Sequence, residues 1–267
     1  MNSIVIGRYL PGHSLWHKLD ARSKILSTSL FVFSCFMINS WIFMAILVLL
    51  EYLVILLTKI PIGYFVKSLK PIFFFILLTF FLQVLFNHQG EILFSLGPIQ
   101  IYDEGLSLGF FMSVRLIIVV VISTLLTLTT RPSDLTLALE SLFKPLGKIG
   151  FPVAEIALMI SIALRFIPTL FEETQKILKA QASRGVDISE GKFKEKVVQL
   201  TSLLVPLFIL SFKRADELAN AMEVRGYVPG RLRTSINQLS WRISDTVLLL
   251  ICIGLFIGAI IFKGGIL

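Results

Sequence analysis

The chain has 267 residues, of which 55% are apolar and 16% are charged, whereas soluble domains carry roughly 25% charged residues. Long apolar runs, 23 phenylalanines and a formal charge of +8 exclude an ordinary soluble protein and place the chain in the membrane class. No nucleic-acid-binding motif accompanies the basic residues, so no nucleic-acid partner is expected. The only two cysteines, Cys35 and Cys252, are too few for a disulfide framework.

Residues 1–130 are predicted to form a basic leader followed by four transmembrane helices. The leader, residues 1–24, favours the cytoplasmic side by its charge, and Trp16 stands where an interfacial anchor is expected. The loop 88–105 has three acidic residues and no Lys or Arg, as is typical of an external loop. The four predicted spans, of which the first is short for a membrane, cover residues 25–39, 41–57, 71–86 and 106–129.

Residues 131–242 are predicted to be a cytoplasmic region, because they hold 16 of the 25 basic residues against 11 of the 17 acidic ones. Within it, segments 151–170 and 197–212 are apolar, but their apolar residues recur at helical spacing on one face. This pattern predicts long amphipathic helices at the membrane base, and the alternative is two further spans. Residues 243–267 supply a fifth span, over 246–262, and a tail. The expected class is therefore an all-α polytopic membrane protein.

The 131–242 region closes two helical patterns with Arg-Gly. The residues of the two motifs are Ala182, Ser183, Arg184 and Gly185, and Glu223, Val224, Arg225 and Gly226. Glycine closes a helix without steric cost, and arginine complements the helix dipole, so either motif alone is explained as a cap. The two arginines are 41 positions apart, and small residues lie in the helical turns before each of them, namely Ala180, Ala182 and Ser183 in one case and Ala215, Ala219 and Ala221 in the other. This pairing predicts two equivalent docking ends, each offering a guanidinium that can hold a partner carboxylate by two hydrogen bonds.

With these motifs the chain resembles the transmembrane components of energy-coupling factor transporters. Members of that family carry two short motifs of a small residue, Arg and Gly at the ends of cytoplasmic coupling helices. The leader, Ser14-Leu15-Trp16-His17-Lys18-Leu19-Asp20-Ala21-Arg22-Ser23-Lys24, is similar to the opening of the family. The chain departs from it at Ser183 and Val224, where the usual residue is Ala.

The resemblance implies a non-catalytic scaffold in the cell membrane, with its N-terminus and coupling helices in the cytoplasm. Two cytoplasmic ATP-binding cassette subunits would receive Arg184 and Arg225, and a separate small membrane protein would bind a vitamin or a transition-metal ion. No G-x-x-x-x-G-K-[ST] stretch is present in the sequence. The chain is therefore expected to bind no cofactor, with ATP held by the partner subunits, and its residues form no cluster with metal-ligand spacing.

Two charged residues, Glu51 and Arg115, fall at similar depth inside predicted spans, which predicts a buried ion pair between them or, alternatively, an ion relay. They also define a second functional hypothesis, a secondary transporter or channel whose own substrate passes Glu51, Gln83 and Arg115. A third hypothesis is a region that docks a cytoplasmic regulator unrelated to transport. A secondary transporter is often built from inverted repeats, and the sequence shows no such repeat.

Overall fold

The computed structural model describes residues 9–12, 14–96, 99–184, 193–230 and 239–261. These residues are almost entirely helical, so the predicted all-α membrane class is confirmed. In chain order the elements are α1 (Ala21–Met37), α2 (Trp41–Thr58), α3 (Ile62–Leu69), α4 (Phe73–Phe86), β1 (Ile92–Leu96), β2 (Ile99–Tyr102), α5 (Asp103–Thr129), α6 (Pro132–Phe143), a 3₁₀ helix (Lys144–Ile149), α7 (Val153–Ser183), α8 (Phe193–Val224) and α9 (Ile243–Ile261).

Five helices in the described part of the chain are long and apolar enough to cross a membrane. They are α2, α5, α7, the Val197–Val224 part of α8, and α9, and the pair α3 and α4, bent by 59°, gives a sixth candidate. The number agrees with the prediction, but the helices differ: α1 has only 17 residues, whereas α7 and α8 qualify by length and composition. The interpretation of α7 and α8 as amphipathic helices at the membrane base stays a prediction.

The internal contacts divide the chain into two compact units, one of Met1–Ala138 with Gln238–Leu267 and the other of Leu139–Asn237. The division at 131 and 242 proposed from the sequence stays a prediction. In the first unit α5 is central, because α1, α2, α3 and α4 all pack on it, while α9 packs on α1. The hydrophobic core of this unit includes Phe31, Cys35, Leu47, Ile118 and Leu125.

Glycines bring α4 and α5 into close contact. A Cβ atom added to Gly109 would lie 3.2 Å from the Phe80 carbonyl oxygen, and one added to Gly105 would lie 3.1 Å from the Asn87 carbonyl oxygen. Backbones that approach this closely gain van der Waals contact, which is how small residues stabilise helix pairs in membranes. The connection between the two helices, predicted as an external loop, contains the antiparallel β1–β2 hairpin.

A buried polar cluster joins the beginnings of α1 and α9. The Asp245 carboxylate is fully buried and accepts hydrogen bonds from the Asp20 N–H (2.8 Å), the Ser23 hydroxyl (2.7 Å) and the Arg242 N–H (2.7 Å). The buried Lys24 ammonium donates to the Thr129 carbonyl at the end of α5 (3.2 Å). The starts of α1 and α9 and the end of α5 therefore lie at the same end of the helical bundle, as the predicted topology requires.

Trp16 is not the interfacial anchor that the sequence suggested. Its side chain is 8% exposed and belongs to the hydrophobic core, whereas the neighbouring Leu15 is 71% exposed. The turn at residues 14–19 directs the indole inward, so the aromatic ring packs against the helices. This prediction was wrong because the direction of a side chain in a turn is set by tertiary contacts.

Candidate functional site

The first predicted docking end lies at the carboxyl end of α7. The helix runs for 31 residues to Ser183, with Pro168 in its interior, and Arg184 follows as its cap, with its N–H donating to the Gln181 carbonyl (3.0 Å). Ala182, Ser183 and Arg184 are all exposed, and the Ser183 hydroxyl is used locally, donating to the Lys179 carbonyl (3.0 Å). Gly185, the last residue of this motif, lies outside the described residues.

The second predicted docking end, at the carboxyl end of α8, is closed by a Schellman motif. Gly226 has φ of 73°, its N–H donates to the Glu223 carbonyl (2.8 Å), and the Tyr227 N–H reaches back to the Met222 carbonyl (2.9 Å). Both bonds satisfy carbonyls that the end of a helix leaves unpaired. The predicted role of Gly226 as a helix cap is therefore confirmed, since only a left-handed residue completes this pattern.

The side chains around this cap face solvent. Val224 is 88% exposed, and Glu223 and Arg225 are exposed beside it. Within the described ranges, neither Arg184 nor Arg225 forms an ion pair. Each helix end therefore carries a guanidinium that is free to bind an external acceptor, and a carboxylate matches its two parallel N–H donors best.

Small residues surround both ends, as the sequence predicted. Ala180 and Ala182 on α7, and Ala215, Ala219 and Ala221 on α8, are all exposed. Alanine side chains are short, so a partner can approach the helix backbone closely near each arginine. The arrangement combines a capped helix end, a shallow surface and a cation, which suits insertion into a groove that contains an acidic residue.

An ion pair joins the two helices that carry the motifs. Arg214 on α8 donates from Nη2 to Oε1 of Glu173 on α7 at 2.9 Å, and the two side chains are only 28% and 22% exposed. Lys176 lies 3.7 Å from the same carboxylate, but it is 71% exposed and belongs to α7 itself. Among the described residues, Arg214 is therefore the one that connects α8 to Glu173, and this pair was not predicted from the sequence.

The predicted ion pair between Glu51 and Arg115 is not formed, and that prediction was wrong. Both side chains are buried, but among the described residues no ion pair joins them. Arg115 donates instead to the Ile38 carbonyl and lies over the Phe111 ring, 5.0 Å from its centroid. Equal depth in two helices does not make two side chains face each other, because rotation about each helix axis is set by packing.

Glu51 lies elsewhere in the first unit, beside a small cavity of about 50 Å³. Apolar side chains form most of the cavity wall, including Phe31, Leu50, Val54, Ile122 and Leu255. Among the described residues Oε1 of Glu51 has no hydrogen-bond partner. The described residues contain no group of three or more His, Cys, Asp or Glu side chains that could hold a metal ion.

Comparison with known proteins shows the family of this chain. The sequence model of the CbiQ family, described as "Cobalt transport protein", matches residues 12–236. The chain belongs to the CbiQ family. Within it, the chain is 49% identical over 246 residues to the energy-coupling factor transporter transmembrane protein EcfT of Bacillus subtilis (strain 168), covering 92% of this chain and 93% of the relative.

Two further relatives carry the same description. The protein of Listeria innocua serovar 6a is 46% identical over 250 residues, covering 94% of each chain, and that of Exiguobacterium sibiricum is 44% identical over 262 residues, covering 98% of this chain and all of the relative. The resemblance drawn from the two Arg-Gly motifs is thereby confirmed. This CbiQ-family chain is a multi-pass membrane protein and a transmembrane component of an energy-coupling factor transporter.

Proposed function

We propose that this chain couples ATP hydrolysis by two cytoplasmic ATP-binding cassette subunits to the reorientation of a separate substrate-binding membrane subunit. The observation that carries the proposal is the pair of exposed arginines, Arg184 and Arg225, each placed at the end of a helix of more than 30 residues. Two similar ends fit a partner that contains the same groove twice. A dimer of ATPase subunits has this property.

The chain itself acts as the transmitter in this proposal. Closure of the ATPase pair on ATP changes the distance between its two grooves, and the long helices α7 and α8 carry that displacement to their other ends. The exposed apolar side chains of α7 and α8, among them Met159, Ile160, Leu204, Phe208 and Phe212, supply a surface for the substrate-binding subunit. That subunit carries a vitamin or another micronutrient, and the N-terminus and coupling helices lie in the cytoplasm.

Co-purification with the ATPase subunits tests the docking role. The double variant Arg184→Glu/Arg225→Glu should lose both ATPase subunits and transport, because each substituted end would repel an acidic groove. The matched control is Lys179→Glu/Lys213→Glu, which reverses two exposed charges on the same two helices and should keep both. Full association and transport in the Arg184→Glu/Arg225→Glu variant would refute the assignment.

A second variant tests the geometry of the contact. Arg184→Lys keeps the positive charge but replaces the planar fork with a single ammonium. We expect weakened ATPase association and reduced transport in this variant. Unchanged activity would show that charge alone, without two parallel hydrogen bonds, is sufficient at this end.

The alternative of a secondary transporter with Glu51, Gln83 and Arg115 along its path has no comparable support. Glu51 and Arg115 do not pair, and Arg115 is engaged by a backbone carbonyl and an aromatic ring. No second function is therefore proposed.

A further inference from the structure

Seven half-buried positions of α7 have half-buried counterparts on α8 at one constant spacing. On α7 they include Leu158, Ile162, Phe166, Leu170, Glu173, Ile177 and Gln181. On α8 they include Gln199, Leu203, Leu207, Ser211, Arg214, Leu218 and Met222. Every position in the second set lies 41 residues after its counterpart in the first, which is also the separation of Arg184 and Arg225. The two helices therefore place equivalent faces in the same register relative to their docking ends.

The ion pair between α7 and α8 joins two residues that are counterparts at this spacing. Glu173 and Arg214 are themselves 41 residues apart, so each is the counterpart of the other. The Glu173–Arg214 contact therefore marks a point at which α7 and α8 meet at counterpart positions.

The distances from this point to the two docking ends are equal. Arg184 follows Glu173 by 11 residues, and Arg225 follows Arg214 by the same number. At 1.5 Å per residue the separation along each helix is about 16 Å, and 11 residues make about three turns. Each arginine therefore lies on nearly the same side of its helix as the member of the ion pair on that helix.

We propose that Glu173 and Arg214 are positioning residues that fix the point about which the two coupling helices meet, and so the spacing of the two ATPase-docking ends. This proposal rests on the proposed function for its consequence, because the fixed spacing is what converts ATPase closure into a concerted movement. The pair is suited to the role because it is charge-assisted and mostly shielded from solvent, and it is the ion pair that crosses between these helices in the described ranges.

The structural test measures the spacing directly. Spin labels are placed at Lys179→Cys and Asn220→Cys, which are exposed, 41 residues apart and outside the docking motifs, while the native cysteines are buried and do not label. In the full transporter complex we expect one narrow distance distribution. Glu173→Gln and Arg214→Met should each broaden it, and the exchange Glu173→Arg/Arg214→Glu should narrow it again.

The functional test uses the same variants in vesicles. The Glu173→Gln and Arg214→Met variants should still co-purify with the ATPase subunits. The amount of substrate transported per ATP hydrolysed should nevertheless fall at least about fivefold, which is the smallest effect usual for energetic coupling between two sites. The exchange variant should recover at least half of the coupling. The matched control is Lys213→Met, which removes an exposed cation next to Arg214 and should match the wild type in both assays.

The outcomes separate this proposal from the proposed function. Unchanged distances and unchanged coupling in both single variants would overturn the positioning role, as would an exchange variant that restores neither. Loss of ATPase association in the single variants would also overturn it, because the pair would then act in docking. If the wild-type chain fails to bind ATPase subunits, the proposed function fails, while the spin-label distances in the isolated chain still test the pair.

Discussion

Replacing Asp245 tests the buried cluster that fastens α9 to α1. The Asp245→Ala substitution leaves the Asp20 N–H and the Arg242 N–H without their acceptor, whereas the Ser23 hydroxyl can still donate to the Asp20 carbonyl (2.8 Å). Hydrogen bonds to a charged group contribute about 1.5–3 kcal/mol each. Water can replace the carboxylate at the more exposed Arg242, so the buried bond from the Asp20 N–H sets an expected loss of about 1.5–3 kcal/mol in unfolding free energy.

The loss should be visible as a lower melting temperature. At about 2–4 °C per kcal/mol for a chain of this size, Asp245→Ala should lower Tm by about 3–12 °C. Asp245→Asn, which retains one acceptor oxygen, should fall between it and the wild type. The assay is the reaction of a fluorogenic maleimide in detergent, because Cys35 and Cys252 are 0% and 5% exposed and become reactive only on unfolding.

The control for this experiment is Asp216→Ala, which removes an exposed carboxylate on α8. It should shift Tm by no more than about 2 °C, as is usual for surface substitutions. An Asp245→Ala variant that melts together with this control would refute the reasoning. The cluster would then add nothing to the attachment of α9.

Three further sets of substitutions test other features of the chain. Gly109→Leu should separate α4 from α5 and lower Tm in the same thiol assay, because a Cβ at this position would lie 3.2 Å from a backbone oxygen. Gly147→Ala is the control and should leave Tm unchanged, since a Cβ at Gly147 would meet nothing within 4 Å. Gly226→Ala should destabilise the end of α8 by about 1 kcal/mol, which corresponds to about fivefold faster amide exchange in the last turn of the helix. Gly226→Asn should have a smaller effect on amide exchange, because Asn tolerates positive φ. Glu51→Gln and Arg115→Met should have additive effects on Tm, since among the described residues no ion pair joins the two side chains. A coupling above about 0.5 kcal/mol between the two substitutions would support the predicted ion pair instead.

The helical membrane class and the two docking ends followed from the sequence because they depend on local chemistry. Apolar runs of span length and the bias of basic residues are local signals. The cap at Gly226 was predictable because a left-handed residue after a helix is a backbone requirement of that one position. The paired spacing of the Arg-Gly motifs then indicated the family, which the comparisons confirmed.

Two of the contacts between helices could have been predicted from patterns in the sequence. Gly105 and Gly109 form the G-x-x-x-G spacing typical of close helix pairs in membranes. The pair Glu173 and Arg214 repeats the separation of Arg184 and Arg225, so the same offset of 41 could have indicated it. The three-to-four spacing in the sequence predicted one apolar face of α8 that includes Leu204, Leu207 and Leu218. This prediction was partly right: Leu207 and Leu218 are half-buried, whereas Leu204 is 57% exposed.

Only the tertiary structure decided which buried polar groups meet. Asp245 binds the start of α1 across more than 200 residues of chain, and periodicity within one helix carries no information about such a partner. Arg115 was expected to find Glu51 but binds the Ile38 carbonyl, because the rotation of each helix is fixed by the packing of whole faces. The sequence therefore determined the helices and their ends, and the packing between helices decided which side chains they bring together.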